Sequence, residues 1–313
     1  MGVAVLTVII PTYDSASSIE YCIESVLNQS LKDIKIIVVD DASKDDTKDI
    51  INKLKSRHEI SSIYNTANQG PSICRNIGLS LCNTDYIAFL DSDDWIDMDC
   101  YKRAVDILMA ETDVDMCAWD IETVYSHHSV MPRYKYSCAN RVSSSYALDM
   151  YSMRHQHDTY LSPLLGNKVF RTSLIKENNL TFSGWFYEDD IFMFKYLLHS
   201  SNIAIVPGSK LYYFQKEGSL MHSFSDAMIN DMFNTFLQFY KELSIQPDWE
   251  KIKSHYYSYF EKCFFNLIRL CKNSTYSDND KSMFLALILQ SFIKKTNIFE
   301  YASYCDVGEL LNV

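Results

Sequence analysis

Residues 86–95 read Tyr-Ile-Ala-Phe-Leu-Asp-Ser-Asp-Asp-Trp, YIAFLDSDDW. Five apolar, strand-like residues run straight into Asp91, Asp93 and Asp94. Like charges this close repel, and burial near a core raises the cost. A positive partner is therefore expected beside them. If the extended backbone continues, alternation puts Asp91 and Asp93 on the same side. Two carboxylates aimed at one point make a partial site for a hard divalent cation, Mn2+ or Mg2+, with substrate phosphates supplying further oxygens. The plain alternative is a polar turn in which Asp94 caps the next helix.

Upstream, strands and helices alternate. Val3–Ile10 is a β-branched run suited to a strand buried on both faces, and Pro11 is expected to end it. Residues 17–28 carry Ile19, Ile23, Val26 and Leu27 at helical spacing. Ile34–Val39 reads as a second buried strand, residues 45–57 as a helix, and Ile60–Tyr64 as a short strand. The turn Asn68-Gln69-Gly70-Pro71 then opens a helix to about Leu81. Such spacing implies βαβ units and a parallel sheet, whose ligands bind beyond the carboxyl ends of the strands. Three strands end in polar clusters: Pro11–Asp14, Asp40-Asp41 and Asp91–Asp94. All three are expected on one edge. Farther along, Val114–Trp119 and Ile121–Tyr125 read as two strand segments, and Tyr187-Glu188-Asp189-Asp190 opens a helix. After Ser225 the pattern turns to four aromatic-rich helical segments. The expected division is an α/β domain over residues 1–224 and an α-helical C-terminal region over 225–313.

The 313 residues are 47% hydrophobic and 22% charged, an ordinary globular balance. A net charge of −11 argues against nucleic acid and against electrostatic docking on anionic lipid. Nine cysteines without a C-x-x-C pair read as reduced, packed thiols of a cytoplasmic protein, not a zinc site. No window approaches a transmembrane span, and the first residues lack the basic start of a signal peptide. The sequons at Asn28, Asn179 and Asn273 then read as chance matches.

Together, VIIPTYD (Val8–Asp14), SVLNQS (Ser25–Ser30), IIVVDDASKDDT (Ile36–Thr47), NQGPSICRNIG (Asn68–Gly78) and YIAFLDSDDW resemble the family-two inverting glycosyltransferases of bacterial surface-polysaccharide type. KVFRTSLI (Lys168–Ile175), YEDD (Tyr187–Asp190) and LYYFQKEGSL (Leu211–Leu220) look like the family's later blocks. The resemblance implies a GT-A fold, a Rossmann-like, mostly parallel sheet flanked by helices. It also implies a UDP-sugar donor and a glycan or lipid-linked glycan acceptor. Pro11, Tyr13, Asp14, Asp41, Asn68 and Arg75 match positions around the nucleotide, with Tyr13 stacking on the base and Asp41 accepting from uracil N3. Asp91 and Ser92 match the ribose neighbourhood, and Asp93 the metal ligand. His222 matches a place where some relatives add a metal or diphosphate ligand. Asp189 matches the base that deprotonates the acceptor hydroxyl. Acidic residues in a helix's first turn are also favoured by its dipole alone.

This chain departs from the family at Asp14, where asparagine is usual, and at Lys35, which replaces a frequent glutamate. Gln215 stands where many relatives carry an arginine that clamps the diphosphate, with Lys216 as the candidate substitute. That departure supports a competing reading, a nucleotide-sugar-binding subunit that needs a partner chain for transfer. The pairs His127-His128 and His155/His157 read as solvated loops. The aromatic, amphipathic segment His255–Lys272 reads as core or homo-oligomer packing before peripheral contact with the inner face of a membrane.

Overall fold

The computed structural model describes residues 4–125, 130–136, 141–152, 161–215 and 226–273, with short stretches up to residue 288. Lys216, His222 and both histidine pairs lie outside the described residues, as does most of the last two expected helical segments. The described chain divides into two compact units. The first holds residues 4–148, 161–183 and 189–215, and the second holds 149–152, 184–188 and the residues from 226 onward.

The elements run β1 (Leu6–Thr12), α1 (Ile19–Leu27), β2 (Ile34–Asp40), α2 (Thr47–Lys55), β3 (Ile60–Tyr64), α3 (Pro71–Leu81), β4 (Tyr86–Phe89), β5 (Trp95–Ile96) and α4 (Cys100–Ala110). They continue through β6 (Met116–Tyr125), β7 (Val130–Tyr134), β8 (Arg141–Ser143), α5 (Ser144–Ser152), β9 (Lys168–Arg171), α6 (Thr172–Glu177), α7 (Glu188–His199) and β10 (Asn202–Gln215). The sheet order is β3-β2-β1-β4-β9-β6-β10-β5, with β7 on β6 and β8 on β10. β3, β2, β1 and β4 are mutually parallel, and β6 and β10 are parallel to each other. β9 runs antiparallel between β4 and β6.

Every residue of β1 is buried, because helices cover both of its faces. Leu6, Val8 and Ile10 join one apolar cluster with Ile19, Cys22, Ile23 and Val26 of α1 and Tyr101, Ala104 and Val105 of α4. Each fully buried Ile or Val contributes roughly 1.5–3 kcal/mol relative to exposure. On the opposite face Ile9 lies against α3 at Gly78, where a Cβ would stand 2.5 Å from Ile9 Cγ2 and 2.8 Å from two other side-chain carbons.

Three sequence readings need correction. The first strand does not end at Pro11 but continues to Thr12, pairing Pro11 with Val39. Leu90 N–H donates to Ile9 O at 3.0 Å, and β4 stops there. Pro11 faces the side β4 has already left, so its missing N–H breaks no ladder bond. Residues 116–125 form one continuous strand, not two segments. Asp94 caps no helix: α4 begins at Cys100 after Asp99.

In the second unit, α8 (Asp226–Ser244) and α9 (Trp249–Asn273) pack through aromatic rings. Phe236 meets Phe260 at 5.2 Å and Tyr259 at 5.7 Å between ring centres, and Tyr256 donates its hydroxyl to Phe236 O at 3.1 Å. Tyr151 stacks on Tyr259 at 5.4 Å. The aromatic stripe of His255–Lys272 is thus buried among its own unit's residues. No helix among the described residues is long and apolar enough to cross a membrane.

Gly78→Ala sets helix propensity, worth about 1 kcal/mol in favour of alanine, against overpacking of Ile9. The contact is short and Ile9 is enclosed, so a net loss of about 1–3 kcal/mol is expected in urea unfolding. Adding Ile9→Val should recover part of that loss. A stabilised Gly78→Ala would show that α3 can move away from β1.

Candidate active site

The carboxyl ends of β1, β2 and β4 bring the three polar clusters to one edge. Asp14 takes the left-handed conformation, φ 46°, which asparagine and aspartate tolerate better than most residues. Its N–H donates to Ser43 Oγ at 2.9 Å, and its Oδ1 accepts from Lys44 N–H at 2.7 Å. Asp14 thereby ties the end of β1 to the loop after β2. Pro11 is buried beneath, while Tyr13 keeps 38% of its surface exposed.

Asp41 is buried and braces the next loop. Its carboxylate accepts from Asn65 Nδ2 at 2.7 Å, from Gln69 N–H at 3.0 Å and from Gly70 N–H at 2.7 Å. Gly70, at φ 89°, also donates to Asn68 Oδ1 at 3.3 Å, and Pro71 starts α3. Sequence alone did not reveal Asn65, whose partner is 24 residues away. Ser92 is likewise held by a residue not singled out: its Oγ lies 2.7 Å from Ser15 Oγ.

The chain does not stay extended after β4. Asp94 N–H donates to Asp91 O at 3.0 Å, closing a turn in which the alternation of an extended strand no longer applies. The extended backbone on which the expected alternation of Asp91 and Asp93 rested is therefore corrected to a turn. Asp91 pairs with Arg75 on α3, Nη2 to Oδ1 at 2.8 Å, and this is the positive partner that the acidic run called for. Arg75 is buried, with its guanidinium 5.5 Å from the Phe182 ring centre. Asp94 is buried too and accepts from Phe214 N–H of β10 at 3.0 Å. Burial, then repulsion by Asp93 and Asp91, pushes its carboxyl well above the usual range, against the pull of Phe214 N–H and Arg133.

Asp93 lines a cleft of about 490 Å³ with Ser17, Tyr21, Trp95, Tyr125 and Phe214. Among the described residues no group of three or more His, Cys, Asp or Glu side chains could hold a metal by itself. Asp93 fits instead the mode in which one carboxylate and substrate phosphates share a hard cation.

Asp189 stands in the first turn of α7, where its Oδ1 accepts from Asp190 N–H at 2.8 Å. Within the same unit lies Lys168, wholly buried on β9, donating to Leu164 O and to Asn167 Oδ1. Burial pushes the Lys168 ammonium down to about 7, while Asp189 and Asp190 oppose that fall. Lys168, set between Asn167 and Val169, gave no sign of its burial, since lysine is rarely interior.

With this geometry in view, residues 7–138 match the family model described as Glycosyl transferase family 2. The chain has the GT-A fold and is similar to the family-two glycosyltransferases over those residues. It is 26% identical over 228 residues to the cholesterol galactosyltransferase of Borreliella burgdorferi, covering 70% of this chain and 63% of that protein. Identity is 28% over 223 residues to the poly(ribitol-phosphate) beta-N-acetylglucosaminyltransferase TarS of Staphylococcus aureus, covering 69% of this chain and 37% of TarS. The chain thus spans less than two thirds of these relatives' length. The crystal structure of S. aureus TarS 1-349 in complex with UDP-GlcNAc superposes with a TM-score of 0.61 at 20% identity, over 97% of this chain and 77% of that one.

Lys168 has a lowered folded-state pKa, so between about 7 and its unfolded value the unfolded chain binds the extra proton, and stability rises with pH. Relative to Lys168→Met, the wild type should gain about 2 kcal/mol between pH 7 and pH 9 and change little below pH 6. Urea unfolding of both proteins across that range measures it. Parallel curves would mean Lys168 keeps an ordinary pKa.

Proposed function

We propose that this chain is a metal-dependent inverting glycosyltransferase that moves a sugar from a UDP-sugar to a hydroxyl of a glycan or lipid-linked glycan. The observation that carries the reading is the shared edge of β1, β2 and β4, where Tyr13, Asp14, Asp41, Asn68, Arg75, Asp91, Ser92 and Asp93 collect. The half-exposed Tyr13 ring offers a stacking face for the base. Asp41 acts on the base together with the 65–70 loop that it holds. Arg75 fixes Asp91 at the ribose. When bound, a Mn2+ or Mg2+ ion on Asp93 would neutralise charge on the departing diphosphate.

Asp189 is the base of this reading. Its carboxylate takes the proton of the acceptor hydroxyl as that oxygen bonds to the anomeric carbon from the face opposite the diphosphate. The UDP–sugar bond breaks and UDP leaves. Bound UDP-GlcNAc in the TarS structure and the sugar-transferring relatives support a nucleotide-sugar donor.

Thermal shift tests the donor. UDP with Mn2+ at about a hundred times its dissociation constant adds roughly 2.7 kcal/mol, which raises the melting temperature by several degrees. GDP and a dinucleotide should not match it. Asp189→Asn should lower transfer at least about 100-fold with UDP affinity nearly unchanged. Full transfer by Asp189→Asn removes the proposed base, and no shift with any uridine nucleotide removes the donor.

A further inference from the structure

Resting on the UDP-sugar reading, we propose that Arg133 is the cation that meets the donor's diphosphate. β7 pairs antiparallel with β6, and its register slips by one residue: Ile121 faces Tyr134, but Glu122 faces Pro132. Arg133 is the extra residue of that bulge. A bulge bends its strand and re-aims the side chain at the irregular position. Here it carries the guanidinium across β6 to β10, where Arg133 Cζ lies 4.6 Å from the centre of the Tyr213 ring.

That stretch of β10 is fastened to the acidic turn. The next residue, Phe214, gives its N–H to Asp94 Oδ1 at 3.0 Å, and Tyr212 pairs with Trp95 directly after the three carboxylates. Tyr213 is close enough to feel Asp94, Asp93 and Asp91, and Asp94 in turn feels Arg133. Arg75 is already buried and paired with Asp91. Arg133 approaches the same cluster from the exposed β7 hairpin, on the strand end where Gln215 brings no charge. A diphosphate brings further negative charge to three aspartates, so binding needs a cation beyond the metal. Guanidinium matches phosphate oxygens through paired N–H donors.

Strand alternation places residue 215 on the same face as Tyr213, so a charge introduced there lies beside the one Arg133 supplies. Calorimetric titration with UDP and with uridine, both with Mn2+, separates the roles. Arg133→Ala should weaken UDP binding by about ten- to a hundredfold and leave uridine unchanged. Gln215→Arg in the Arg133→Ala background should restore much of the lost affinity.

Unchanged UDP affinity in Arg133→Ala overturns the assignment. So does an equal loss for UDP and uridine, which would make Arg133 a structural partner of Asp94. Absence of any recovery by Gln215→Arg also counts against it. A wild-type chain that binds neither UDP nor uridine defeats the donor reading itself, and that is visible before any variant is made.

Discussion

The ion pair between Arg75 and Asp91 is the contact on which the candidate site depends. It joins α3 to the turn after β4, two elements that the sheet brings together across 16 residues of sequence. With Asp91 turned toward α3, the chain can close on Asp94 N–H, and Asp93 is left to face the cleft. Arg75 is buried, so loss of the Asp91 carboxylate would take from an interior guanidinium one of the groups that hold it.

Around that bond, each polar loop at the sheet edge is braced by another. Asp14 holds the loop after β2, Asp41 holds the loop before α3, and Ser15 meets Ser92. Loops built this way present Tyr13 and Asp93 on a fixed frame while hiding most of their own polar groups. Three cations then sit among many carboxylates. Arg75 belongs to Asp91, Lys168 is held by Leu164 O and Asn167 Oδ1, and Arg133 arrives from a strand added to the sheet's other half. The net charge of −11 says nothing of this distribution.

The sheet's first half was legible because its strands are continuous apolar runs and its helices repeat with period 3.6. β3 and the C-terminal end of α3 fall where periodicity puts them. The second half was harder. β5 has two residues, β9 has four, and β10 bends at Pro207-Gly208 with a register shift between Ile205 and Lys210. Pieces this short or irregular carry little pattern and exist because neighbouring strands supply their hydrogen bonds. Pro11 misled for the opposite reason: a local rule about proline met a strand whose neighbour had already ended.

Sequence alone determined the βαβ order, the convergence of three polar strand ends and the need for a positive charge near Asp91, Asp93 and Asp94. These follow from periodicity and electrostatic repulsion, which act over a few residues. Only the tertiary structure decided which cation answers which carboxylate, that Asp94 serves Phe214 rather than a helix, that Lys168 is interior, and that a one-residue bulge turns Arg133 toward Tyr213. Each depends on register and burial between strands distant in sequence, and neither is set until the sheet has closed around them.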